Sequence, residues 1–283
     1  MSSLIEFDRV IAGYGSLMIL NELTLDARAG EITLLIGPNG AGKSTALKTF
    51  FGLLRPRAGI IRFRGQDVTG QAPSDLLRQG VVFVPQGRNL FGSLSLLHNL
   101  ELGAITLQAS QRQARMQEVM DRFPHLRERL HSMASSLSGG EQKQLEIARA
   151  LLLRPAVILI DEPSIGLSPI ISQTVFRLLR GLADAGTSVM MVEQNVRSAL
   201  AVSDRVLLLE GGRLMLDSPA AKLLDDPDLN RVFLGRPAGA QGSGGSPVMR
   251  MEYRVKLSGP MERTARALRL VVLRAALAAN SID

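Results

Sequence analysis

The stretch Gly37–Thr45, GPNGAGKST, constrains this chain more than any other. It meets the pattern G-x-x-x-x-G-K-[ST] at Gly37, Gly42, Lys43 and Ser44. The apolar run Ile32–Ile36 before it reads as a buried strand, and Ser44–Leu54 after it carries apolar residues at helical spacing. A glycine-rich turn between a strand and a helix points backbone N–H groups at an anion, and the helix adds its positive end. Gly37, Pro38, Asn39, Gly40, Ala41 and Gly42 are therefore expected to cradle the phosphates of ATP. Lys43 is expected to reach the β- and γ-phosphates, and Ser44 to offer a hydroxyl to Mg²⁺ with Thr45 behind it. The bare pattern arises by composition in roughly one chain in a hundred of this length. Its placement between strand and helix argues against a plain glycine turn.

Three further stretches extend the chemistry. Val157–Pro163, VILIDEP, is an apolar strand ending in two carboxylates. Asp161 is placed to orient Mg²⁺ through its water shell, and Glu162 to act as general base or to polarise the attacking water. Val81–Gln86, VVFVPQ, is a second short strand, and Gln86 at its end is placed to sense metal and attacking water. Ser138, Gly139, Gly140, Glu141 and Gln142 open the helical run Glu141–Leu153. Serine is a good N-cap and the two glycines leave N–H groups accessible, so this is a second anion site.

One phosphate loop does not obviously need two anion sites. With LSGGEQ at Leu137–Gln142, the chain resembles the ATP-binding subunit of an ABC transporter over about residues 4–235. The resemblance implies an α/β fold, a P-loop NTPase cassette. Its core would be a mainly parallel sheet, with an antiparallel β subdomain and a helical subdomain inserted at about 95–153. It implies that two cassettes pack head to tail, the signature of one closing over the nucleotide held by the other. It also implies that Tyr14 stacks on adenine and that Ser164–Ser168 signals across the dimer. The implied partners are a second ABC ATPase subunit, transmembrane permease subunits and, indirectly, an external solute-binding protein. The implied location is peripheral, on the cytoplasmic face of the inner (plasma) membrane.

Composition agrees. Hydrophobic residues make up 46% of 283, enough for a sizeable core, and cysteine is absent, which suits a reducing compartment. His98, His125 and His131 lack metal-ligand spacing. The start of the chain, Met1–Arg9, alternates like an edge strand and lacks the apolar core of a signal peptide. No apolar run approaches the ~20 residues that cross a bilayer. Beyond Gly235 there are eight Lys/Arg against three acids, so +5 of the formal +7 lies there. The nearly neutral remainder argues against a nucleic-acid surface. Arg236–Pro247 reads as a Gly/Ser/Pro linker. Met261–Ala279 reads as a basic helix whose arginines keep to no single face, so 236–283 is expected to be a mobile or foreign extension rather than a membrane anchor. Strand–helix alternation over 156–235, with a hairpin at Gly211-Gly212, argues a mainly parallel sheet.

Val84–Phe91, Asp161–Pro169 and Met191–Asn195 resemble the corresponding stretches of branched-chain amino acid importer ATPases. Two departures stand out. The family usually has histidine where this chain has Gln194, and glutamate where it has His98. Gln194 is therefore expected at the γ-phosphate, as an uncharged hydrogen-bonding side chain. A hydrolytically weak regulatory cassette and a lipopolysaccharide-export ATPase are the alternatives. The latter is expected to keep the histidine. A DNA-repair ATPase would need a long coiled coil in the 95 positions between Lys43 and Ser138, which show no heptads, and a tandem translation factor would need a second set of motifs.

Overall fold

A computed structural model describes residues 3–87 and 89–225, so the linker and basic tail read over 236–283 lie outside the described residues. The chain divides into two compact units, Met1–Ala221 and Lys222–Asp283, and the site lies in the first. Two sheets organise that unit. One is antiparallel, β2-β1-β4-β5, from β1 (Ser3–Tyr14), β2 (Leu17–Arg28), β4 (Ala58–Phe63) and β5 (Gln66–Asp67). The other runs β10-β9-β3-β8-β7-β6. It contains β3 (Ile32–Ile36), β6 (Val81–Val84), β7 (Val157–Asp161), β8 (Ser188–Val192), β9 (Arg205–Glu210) and β10 (Arg213–Pro219). All its neighbours pair in parallel except the β9–β10 hairpin. β3, β7 and β8 are buried at every residue, as parallel strands covered on both faces should be.

The helices are α1 (Lys43–Phe50), α2 (Pro73–Arg78), α3 (Leu96–Gly103), α4 (Ala109–Met120), α5 (Pro124–Arg127), α6 (Gly139–Leu151), α7 (Pro169–Asp184), α8 (Val196–Leu200) and α9 (Ala220–Asp225). Among the described residues no helix is long and apolar enough to cross a membrane.

Two expectations need correcting. The alternation over Met1–Arg9 suggested an edge strand. β1 is interior, pairing Phe7 with Leu25 of β2 on one side and with Ile61 of β4 on the other. Alternation reports one buried face and is silent on how many neighbours complete the hydrogen bonding. The stretch 95–153, expected as a helical subdomain, is also not helical throughout. Between α5 and α6 the chain turns, with only a 3-10 turn at Ala134–Ser136. Serines compete there for backbone partners: Ser136 Oγ donates to Met133 O at 2.7 Å. The segment is held by Leu96 N–H on Ser132 O (3.0 Å) and Ala134 N–H on Leu94 O (2.9 Å).

Aromatic packing fixes α1. Phe50 lies between Phe7 (6.3 Å between centroids) and Phe63 (5.9 Å), and Phe51 meets Phe83 at 5.6 Å. Two of the contacts that join the two sheets bear on the site. At the β9–β10 turn, the Asn21 backbone N–H donates to Gly212 O (3.0 Å) and its amide to Gly211 O (2.7 Å). Gly212 has φ +76°, and a Cβ there would sit 1.9 Å from Ile19 O. The second join is the buried Arg205 of β9. It donates to Asp26 of β2 at 2.8 and 2.9 Å, and to both carboxylate oxygens of Asp217 of β10. Hydrogen bonding to Arg205 holds the Asp26 carboxyl below its usual range.

Candidate functional site

The loops that follow β3, β6, β7 and β8 all leave the same end of the parallel sheet, the end where such sheets bind ligands. Gly37, Gly40 and Gly42 have φ of 146°, 80° and 102°, the left-handed region where glycine is at home. A Cβ on Gly37 would lie 2.1 Å from Leu209 O, whereas one on Gly40 would meet nothing within 4 Å. The first glycine thus packs the loop against β9, and the second turns it outward. Gly42 caps α1 without a side-chain bond, leaving the first N–H groups of the helix to face an anion. Lys43 is buried, its Nζ donating to Gly37 O (2.9 Å) and Pro38 O (3.0 Å). Burial pulls its ammonium below the ordinary lysine value, while the Glu162 and Asp161 carboxylates pull the other way. Asn39 and Gly40 are exposed at the loop tip; Ala41 and Thr45 are buried. Tyr14, at the end of β1, is about half exposed (48%).

Ser44 Oγ donates to Asp161 Oδ1 at 2.9 Å. Asp161 is almost wholly buried, which pushes its carboxyl above the usual range, against the Ser44 hydrogen bond and with the help of the Glu162 charge. A hydroxyl and a carboxylate side by side form a hard-oxygen donor set. Among the described residues no group of three acids or histidines could hold a metal by itself. The Ser44–Asp161 pair fits Mg²⁺, which takes one or two protein oxygens and completes its shell with phosphate and water.

Glu162 follows directly, at φ +48°, a conformation that costs a non-glycine residue about 1–3 kcal/mol. Its N–H bonds Val192 O at 2.9 Å. Both carboxylate oxygens are taken by amides: Gln86 Nε2 donates to Oε2 at 2.7 Å and Gln194 Nε2 to Oε1 at 2.5 Å. Strand register explains the meeting. Val84 pairs with Ile160, and Ile160 with Met191, so Gln86 and Glu162 each stand two residues past a paired position and Gln194 one further. Gln86 spends its amide N–H on Glu162, which leaves its carbonyl oxygen as the atom for a metal.

Ser138 caps α6 in a reciprocal box. Its Oγ accepts from Glu141 N–H at 3.4 Å, and its own N–H donates to Glu141 Oε2 at 2.8 Å. Glu141 also takes Arg129 Nη1 at 2.8 Å, and Gln142 donates to Leu137 O at 3.1 Å. The two polar side chains thus hold the helix start in place, and the N–H groups of Gly139 and Gly140 in its first turn are the ones placed for an anion. Gly139 is exposed, but Gly140 is buried, and a Cβ on it would sit 2.2 Å from Ile171 Cγ2. The second glycine therefore also makes room for α7.

Sequence reading missed two groups. Glu193 is buried: its Oε1 accepts Ser164 N–H at 2.7 Å, and its Oε2 accepts the N–H groups of Gln194 (3.0 Å) and Asn195 (3.2 Å). Burial pushes its carboxyl up, with those bonds opposing. The signal was an acid directly after an apolar strand, as at Asp161. The second group is Lys143, Glu146 and Arg149 on one face of α6. Glu146 Oε1 accepts Asn89 N–H at 2.7 Å and pairs with Lys143, and Arg149 Nη1 donates to Asn89 O at 2.8 Å. Together they clamp the segment after Gln86 to the helix that Ser138 opens. Their helical spacing was visible, but their target, a backbone, was not. The three histidines are exposed.

Comparison with known proteins follows the same lines. The ABC transporter family profile matches residues 20–165. The chain is 39% identical over 232 residues to the high-affinity branched-chain amino acid transport ATP-binding protein BraG of Pseudomonas aeruginosa, covering 82% of this chain and 100% of that one. It is 35% identical over 226 residues to the lipopolysaccharide export system ATP-binding protein LptB of Escherichia coli K12, covering 78% and 93%. Its fold is similar to a crystal structure of a nucleotide-free ATP-binding cassette from an ABC transporter, with a TM-score of 0.74 at 24% identity over 83% of this chain and 100% of that one.

Proposed function

The chain belongs to the ABC transporter family as an ATP-binding subunit, and on that premise we propose that it powers import of branched-chain or other hydrophobic amino acids. It is an ATPase. The observation that carries the residue assignment is Glu162 held at both oxygens by Gln86 and Gln194, beside Asp161, Ser44 and Lys43. The N–H groups of Gly37–Gly42 bind the phosphate oxygens, and Lys43 leaves its two carbonyl partners for the β- and γ-phosphates. Mg²⁺ held by Ser44 and Asp161 would neutralise charge on the phosphates. The two amides fix the direction of the Glu162 carboxylate, which takes a proton from the attacking water as its oxygen bonds to the γ-phosphorus and the bond to the bridging oxygen breaks. Tyr14 stacks on adenine. Ser138–Gln142 acts on the nucleotide of a second cassette, and transmembrane permease subunits carry the cargo that this chain never touches.

The cargo class rests on the 39% identity along the whole length of BraG and on Gln194. The 35% identity to LptB keeps lipopolysaccharide export as a second reading. Copurification of the chain with its membrane partners, followed by ATP-dependent uptake of leucine, isoleucine and valine into vesicles, separates them. Uptake that depends on ATP and on Lys43 supports import. Copurification with lipopolysaccharide-extracting permeases and no uptake supports the second reading.

A further inference from the structure

The Glu193 carboxylate joins two loops that the proposed hydrolytic site needs. One oxygen holds Ser164 N–H, at the start of the segment Ser164–Ser168; the other holds Gln194 N–H and Asn195 N–H, where the chain leaves β8. From Gln194 the amide side chain returns to Glu162 Oε1, and Glu162 is two residues before Ser164. The bonds close a ring: Glu162, Ser164, Glu193, Gln194, Glu162. Beside it lies a cleft of about 220 Å³, lined by Glu162, Ser164, Leu167, Glu193, Gln194 and Asn195. The Ser164 side of the ring carries the exposed Ile165 (49%).

We propose that Glu193 is a positioning residue: it locks the Gln194 amide and the Ser164–Ser168 segment into one unit, so that displacement of that segment re-aims the Glu162 carboxylate. The inference rests on the hydrolytic reading given above. Only a carboxylate fits the role. The ring presents N–H donors to both oxygens, and a Gln in its place would turn an NH₂ group toward one set of them. Aspartate, one methylene shorter, reaches one loop and releases the other. The Glu193 oxygens are engaged by the backbone N–H groups of Ser164, Gln194 and Asn195, so its effect runs through the aim of Glu162, where a displacement on the order of 1 Å costs up to about 100-fold in rate.

The test measures ATPase kinetics and amide hydrogen exchange on the full chain in the complex with its partners. Glu193→Gln is expected to lower kcat at least about tenfold with KM for ATP within about twofold. Its Ser164, Gln194 and Asn195 amides should lose exchange protection while β3 and β7 keep theirs. Because Glu193 acts through Gln194, the loss should largely vanish in a Gln194→Ala background, a non-additivity that a merely structural role does not produce. Additive losses, or unchanged protection of the three amides, overturn the proposal. If Glu193→Gln does not fold, Glu193→Asp carries the same tests, and a parental kcat in it overturns the proposal. A parent complex that hydrolyses no ATP refutes the hydrolytic reading instead, and the exchange measurement still decides whether Glu193 joins the loops.

Discussion

At the scale of single residues, the site is built around one strained carboxylate. Glu162 sits at φ +48° with an amide on each oxygen, so replacing it tests geometry and chemistry separately. Glu162→Gln keeps the shape and removes the base. It should bind ATP with about the parental affinity and lower kcat by about 10²-fold or more, leaving an ATP-bound dimer that size-exclusion chromatography detects. An unchanged kcat would remove Glu162 from the role of base. Gln194 is the second informative position. Its amide donates to Glu162 but carries no charge and cannot shuttle a proton. In Gln194→His the ring keeps one donor and adds a group that titrates near pH ~6.5. The chain assayed alone should then turn over about tenfold faster, short of a full general-base effect because Glu162 is already present. The parent should also run slower alone than when paired with a histidine-bearing cassette. If the substitution changes neither rate, and the chain alone matches the pair, the two composite sites are equivalent.

At the scale of elements, the tie between β2, β9 and β10 makes a pH prediction. The folded state holds Asp26 below its unfolded value through Arg205. Its contribution is therefore complete above the ordinary carboxylate range, about 3.9, and disappears as pH falls through the lower folded value. Asp26→Asn should lower stability at pH 7 by about 1 kcal/mol, a figure kept small because the Asp26 side chain is 41% exposed. Thermal melts of parent and variant should converge in acid; a gap that stays constant with pH would assign the loss to packing. The same element shows what a sequence conveys. Gly37–Thr45, Asp161-Glu162 and LSGGEQ announce themselves because each needs particular side chains, or their absence, at fixed spacing. The helices α6 and α7 and the hairpin at Gly211-Gly212 follow from periodicity and turn chemistry. The neighbours of β1 did not follow, because pairing with β4 is a long-range event that leaves no mark on local alternation. Glu193, Glu146 and Arg149 were visible as acids or bases in a pattern but not by what they hold, since their targets include backbone groups that every residue carries. Gly140 was legible as a glycine but not for its packing reason, because Ile171 is far along the chain.

At the scale of the whole molecule, the buried apolar cluster around α1 draws its members from Leu4 to Leu209, and every site residue precedes Asn195. A chain ending at Gly235 should therefore keep its melting temperature within a few degrees and its ATP affinity within about twofold, measured by calorimetry and nucleotide titration. Insoluble or unfolded protein from that truncation would make 236–283 part of the folding unit. The joined sheets have a mechanical consequence. With Gly212 pressed on Ile19 and Arg205 gripping Asp26 and Asp217, the slab that carries Tyr14 and Gly37–Thr45 behaves as an anvil and takes up little motion. A load applied at the phosphate loop is therefore shared across both sheets instead of bending the loop alone. On the other side of the phosphate loop, Asn89 is pinned between Glu146 and Arg149, which moors the strand end near Gln86 to α6.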